Sequence, residues 1–94
     1  MIDIEKKHLN IVKEILRKYP YIFYVYGSRA KKKARKNSDL DLCYKEQIPG
    51  KVISDIKEQF EESDLPFKVD LTSWENMSTT FQKLIEKDLT PLTH

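Results

Sequence analysis

Gly27-Ser28, ten residues, then Asp39-Leu40-Asp41: these residue types at this spacing could handle phosphate and divalent metal. A Gly-Ser turn after a strand can present backbone N–H groups to a phosphate. Side chains on a strand alternate with period 2, so Asp39 and Asp41 share one face. Carboxylates side by side repel unless they hold a cation. Mg²⁺ suits them, because it takes oxygen ligands and is usually held by one or two carboxylates plus substrate phosphates.

These residues need strands and turns to hold them. The run Tyr21–Tyr26 has the β-branched and aromatic content of a buried strand. Ser28 is a good N-cap, which predicts a short helix from there to about Lys36. Asn37-Ser38 turns the chain into a second strand, Asp39–Tyr44. Its Leu40 and Leu42 point one way, its aspartates the other. A third strand is expected over Pro66–Leu71, with Phe67, Val69 and Leu71 towards the core and Asp70 opposite. If that strand pairs with the second, Asp70 joins Asp39 and Asp41, provided the register is right.

Between the strands lie helical periods. Ile4, Ile11, Val12, Ile15, Leu16 and Tyr19 mark a helix over about 3–18, which Pro20 stops. Val52, Ile53, Ile56 and Phe60 mark another over about 51–62, after the Pro49-Gly50 break. Ser73–Met77 reads as a connection. Met77, Phe81, Leu84 and Ile85 mark a last helix ending before Pro91. The expected class is α+β. One domain spans 1–94, in the order α-β-α-β-α-β-α, with a small three-stranded mixed sheet and helices packed against it.

The bulk numbers agree with one domain of modest core. At 94 residues, 39% hydrophobic and 34% charged, the chain fits a soluble globular domain. Its net charge of +2 is too small for a generic polyanion binder. Six of the eight residues Arg29–Lys36 are basic, so the positive field concentrates beside the Gly-Ser turn. That run has no interleaved aromatics, which favours a solvated helix and loop over an RNA site. No apolar run approaches ~18 residues, and the start does not read as a signal peptide. The only cysteine, Cys43, excludes an internal disulfide and fits a reducing cytoplasm. His8 and His94 have no metal-ligand spacing.

Taken together, Gly27-Ser28, Asp39-Leu40-Asp41 and Val69-Asp70-Leu71 resemble the signature of the minimal nucleotidyltransferases. These are small members of the DNA polymerase β-like nucleotidyltransferase superfamily. Tyr26 before the glycine, Arg29-Ala30 after the serine, and the C-terminal FQKLIEKDLTPL are also similar to that family. One departure is Lys32, where many members have a glycine.

The resemblance implies a nucleotidyltransferase fold. It implies that Asp39, Asp41 and Asp70 ligate Mg²⁺ or Mn²⁺, with Asp70 also the base for an incoming hydroxyl. Gly27 and Ser28 would grip a phosphate of ATP or another nucleotide, with Arg29 as an added phosphate contact. It further implies a partner: minimal members typically accompany a helical HEPN-domain toxin. They act as its antitoxin by binding and, in some cases, by transferring AMP to a partner tyrosine. Two other readings compete: a non-catalytic binding module that neutralises its partner by complex formation, and a nucleotide- or RNA-binding subunit.

Overall fold

A computed structural model describes residues 2–31 and 38–92. Helix α1, Lys6–Leu16, is followed by strands β1, Phe23–Tyr26, and β2, Leu40–Tyr44. Helix α2, Gly50–Glu61, carries the chain over to β3, Val69–Ser73. A 3₁₀ turn, Trp74–Asn76, then leads to α3, Thr79–Glu86, and β4, Thr90–Leu92. The strand order is β3-β2-β1-β4. β1 runs antiparallel to both β2 and β4, whereas β2 and β3 are parallel. A parallel pair needs a crossover, and α2 supplies it.

The sheet has four strands rather than the three expected. Thr90-Pro91-Leu92 pairs with β1, setting Tyr24 opposite Pro91. Pro91 lies beyond the end of α3, as expected of a residue that cannot continue a helix. It also suits an edge strand, where its missing N–H can face away from the ladder. Leu92 is buried in the main core.

Boundaries moved where side contacts compete with regular structure. α1 starts at Lys6 rather than near residue 3, because the Asp3 N–H donates to Arg29 O at 2.7 Å and Glu5 is extended. β3 begins at Val69 rather than Pro66. Phe67 in its approach packs edge-on to His8, with ring centroids 5.7 Å apart. The helix expected from Ser28 to about Lys36 lies largely outside the described residues, as do Lys32 and most of the basic run. Its described part is a turn in which Lys31 N–H donates to Gly27 O at 3.2 Å.

Each face of the sheet buries something different. On one, Phe23, Val25, Leu40, Leu42 and Leu71 pack against Val12, Ile15 and Leu16 of α1 and Ile53, Ile56 and Phe60 of α2. On the other, Tyr26 and Cys43 pack under Ile85 of α3, with Tyr24, Trp74, Met77 and Leu89 around them. α3 is fastened at its start by the Ser78 hydroxyl, which accepts from Phe81 N–H at 3.1 Å. Among the described residues no helix is long and apolar enough to cross a membrane.

The fourth strand is testable. Leu92→Ala removes most of a buried side chain that only β4 delivers to the core, and should cost about 2–4 kcal/mol. Urea unfolding would show it as a lower midpoint at unchanged slope. An unchanged midpoint would mean that β4 does not close the sheet.

Candidate active site

Strand pairing assembles the acidic residues. Tyr26 of β1 lies opposite Asp41 of β2, and Asp41 lies beside Asp70 of β3. In-register neighbours point to the same face, so a single row, Tyr26–Asp41–Asp70, crosses three strands. Asp39 immediately precedes β2 and is exposed, as is Asp70, whereas Asp41 is half-buried between them.

Gly27 ends β1 next to this row, and two features require glycine there. Its φ is +78°, the left-handed region that side chains disfavour. A Cβ on it would lie 2.5 Å from Asp41 Oδ2, inside van der Waals contact. The turn and the central carboxylate are therefore pressed together. Ser28 follows, half-buried, in the same turn.

Three carboxylates on one side of a small sheet repel. Asp41 is pushed up from 3.8 to about 6, first by burial, then by the charges of Asp70 and Asp39. The Tyr26 phenol is also raised, chiefly by burial. A hydrogen bond with Thr72 opposes the rise, while Asp41, Cys43 and Asp70 add to it. The Tyr26 ring stands edge-on to Phe81 of α3, centroids 5.9 Å apart. Cys43 shares strand parity with the aspartates but is fully buried beneath α3, and its thiol is pushed up to about 11. Among the described residues no three His, Cys, Asp or Glu side chains converge tightly enough to form a ready-made metal cage.

Arg29, expected as a phosphate contact, is turned inward. It is 5% exposed, the lone charged residue in the described interior. Nε and Nη2 donate to Ser38 O at 3.1 and 2.8 Å, and Nη1 donates to Asp3 O at 2.8 Å. Its guanidinium lies 4.1 Å from the centre of the Phe67 ring. Arg29 thus holds the residue just before Asp39, and its role here is positioning. Sequence reading also passed over Tyr26 and Thr72 as site residues. Their strand parity with Asp41 and Asp70 was the available signal, but only the register makes it usable.

Residues 10–93 match the family described as polymerase beta, nucleotidyltransferase. The chain belongs to that family. A curated relative, "Probable protein adenylyltransferase MntA" of Haemophilus influenzae, is 42% identical over 90 residues, covering 92% of this chain and 79% of the relative. The chain is thus a nucleotidyltransferase of the minimal type, and the glycine turn and acidic row lie within the matched region.

Two outcomes follow from the packing at Asp41. Its folded-state pKa lies above its unfolded value, so the folded chain keeps a proton that the unfolded chain has released. The stability this provides is full below about pH 4 and is lost as pH rises through about 6. Asp41→Asn should therefore stabilise the metal-free protein at pH 7.5 by about 1 kcal/mol after allowing for solvent screening, or roughly 4–8 °C in melting temperature. The gain should vanish at pH 3.5; a gain that persists there would assign the effect to packing instead. Separately, Gly27→Ala should cost about 2 kcal/mol from backbone strain and the clash with Asp41. The Gly27→Ala/Asp41→Ala double variant should be more stable than the sum of the two single effects implies by about 0.5–1 kcal/mol, because the clash is then relieved. Strict additivity would show that the turn and Asp41 are not in contact.

Proposed function

We propose that this protein transfers AMP from ATP to a hydroxyl on a protein partner, using Mg²⁺ or Mn²⁺, and serves in the cytoplasm as the antitoxin of a helical HEPN-domain toxin. The observation that carries the reading is the row Tyr26–Asp41–Asp70 abutting the Gly27 turn, in a chain 42% identical to a probable protein adenylyltransferase. The donor set fits a hard divalent cation. All three groups are carboxylates, and the charges of Asp70 and Asp39, which add to burial in lifting Asp41 to about 6, are of the kind that such a cation offsets. Bound there, the metal would neutralise triphosphate charge and favour departure of pyrophosphate.

The chain's own residues do the rest. The Gly27-Ser28 turn offers backbone N–H groups and a hydroxyl to the phosphates. Asp70, exposed at the edge of the row, takes the proton of the attacking hydroxyl. The acceptor's oxygen bonds to the α-phosphorus, the α–β bridging bond breaks, and pyrophosphate leaves with the electron pair. Arg29 keeps Ser38, and with it Asp39, in place beside the turn. The HEPN partner rests on the resemblance to the minimal nucleotidyltransferases. The exposed Phe81 and Leu84 of α3, 40% and 61% accessible, agree with a protein partner nearby. A second reading is a binding module without catalysis, for which the exposed Phe81 and Leu84 of α3 would supply the contact with the partner.

One experiment separates the two. Purified chain is mixed with the HEPN-domain protein, Mg²⁺ and ATP labelled at the α or γ phosphate. The partner should gain AMP mass with α label only, and Asp70→Asn should slow transfer by about 10²–10⁴-fold. Label arriving from the γ position rejects nucleotidyl transfer. Neutralisation of the toxin with no transfer, by the wild type and Asp39→Asn/Asp41→Asn alike, selects the binding module.

A further inference from the structure

The acidic row ends at a strand that is the outermost one among the described residues. β3 closes one side of the sheet, and among the described residues no strand pairs with its outer edge. Leu40 N–H donates to Lys68 O at 2.8 Å, with Leu40 set opposite Val69. Ladder bonds in a parallel pair use alternate residues. The backbone groups of Lys68, Asp70 and Thr72 therefore face β2, while the N–H and C=O of Val69 and Leu71 face outward. Beside them runs a groove of about 590 Å³, between residues 67–72 and Lys57, Phe60 and Glu61 of α2. The groove includes Asp70, so edge and acidic row are continuous.

We infer that this edge and groove seat an extended polypeptide, which pairs with β3 and delivers a tyrosine hydroxyl to Asp70. The inference rests on the protein-acceptor reading above and adds where and in what conformation the acceptor binds. Strand addition satisfies the outward amides of Val69 and Leu71. Adjacent strands lie ~4.8 Å apart, so a side chain of the added strand on the Asp70 face comes alongside that carboxylate. The tyrosine oxygen bonds to the α-phosphorus, its proton passes to Asp70, and pyrophosphate departs with the electrons of the broken bond. The groove holds Lys57 and Lys68 against Glu61 and Asp70; with Asp70 engaged by the tyrosine, the two lysines face Glu61 alone, so acidic residues beside the tyrosine suit it.

The probe is a blocked peptide of alternating valine and threonine around a central tyrosine, with a glutamate at each end. N-acetyltyrosinamide serves as an acceptor too small to pair. Titrating the peptide into ¹⁵N-labelled protein should shift the Val69 and Leu71 amides and slow their exchange. In the transfer assay with Mg²⁺ and ATP, Val69→Pro, which removes only an outward N–H, should lower kcat/KM for the peptide by about tenfold. Lys57→Glu/Lys68→Glu, both exposed, should do the same should the proline variant fail to fold. Neither should change the rate with N-acetyltyrosinamide by more than about twofold. Transfer to the peptide with silent amides, or equal losses on both acceptors, overturns the proposal and leaves adenylyl transfer standing. Amide shifts without transfer to any hydroxyl overturn the acceptor reading and leave the peptide seat. A dimer in sedimentation that Val69→Pro dissolves assigns the edge to a second copy and overturns the proposal.

Discussion

The guanidinium of Arg29 is the constraint on which the site depends. A buried cation is costly unless its donors are satisfied. Here the satisfying groups are backbone carbonyls from two distant segments, Asp3 and Ser38, with the face of Phe67 stacked beside them. Meeting that demand fixes the N-terminal segment, the turn after β1, the entry to β2 and the approach to β3 relative to one another. Carbonyls neutralise nothing, so the charge stays in place while the acidic residues crowd a few positions away. A lysine offers a single point donor and could not make the same forked contact.

The opposite face of the sheet is organised by repulsion. Asp41 sits half-buried, pressed against the Gly27 backbone and flanked by two more carboxylates. A folded protein would gain stability by discarding one of them. A carboxylate crowded in this way, on a central strand and against a glycine turn, adds nothing to folding. The surrounding structure meets the cost. The α1–α2 face carries most of the core, and α3 seals Tyr26 and Cys43 just beside the charges.

Much of this was readable in advance. Period 2 in Leu40-Asp41-Leu42 and in Val69-Asp70-Leu71 put the acids on one face. Helical spacing marked α1, α2 and α3. The Gly27-Ser28 to Asp39 spacing pointed to the family. Pairing register was not readable, and it alone decides that Asp41 stands beside Asp70 and opposite Tyr26. The inward turn of Arg29 was hidden for a related reason, since its partners are carbonyls, which carry no residue identity. β4 was missed because three residues around a proline look like the end of a helix. Only its pairing with β1 shows otherwise.

That short strand leaves the sheet with two unlike margins. On the β4 side the edge is three residues long and lacks a donor at Pro91, so it offers little to template another strand. On the β3 side the edge is regular. Stacking of copies into a cross-β fibre needs two receptive margins per molecule, one to add and one to be added to. A molecule with one blunted margin terminates such growth at its first step. The proline in β4 therefore limits edge-to-edge stacking of a chain whose β3 edge carries no paired strand among the described residues.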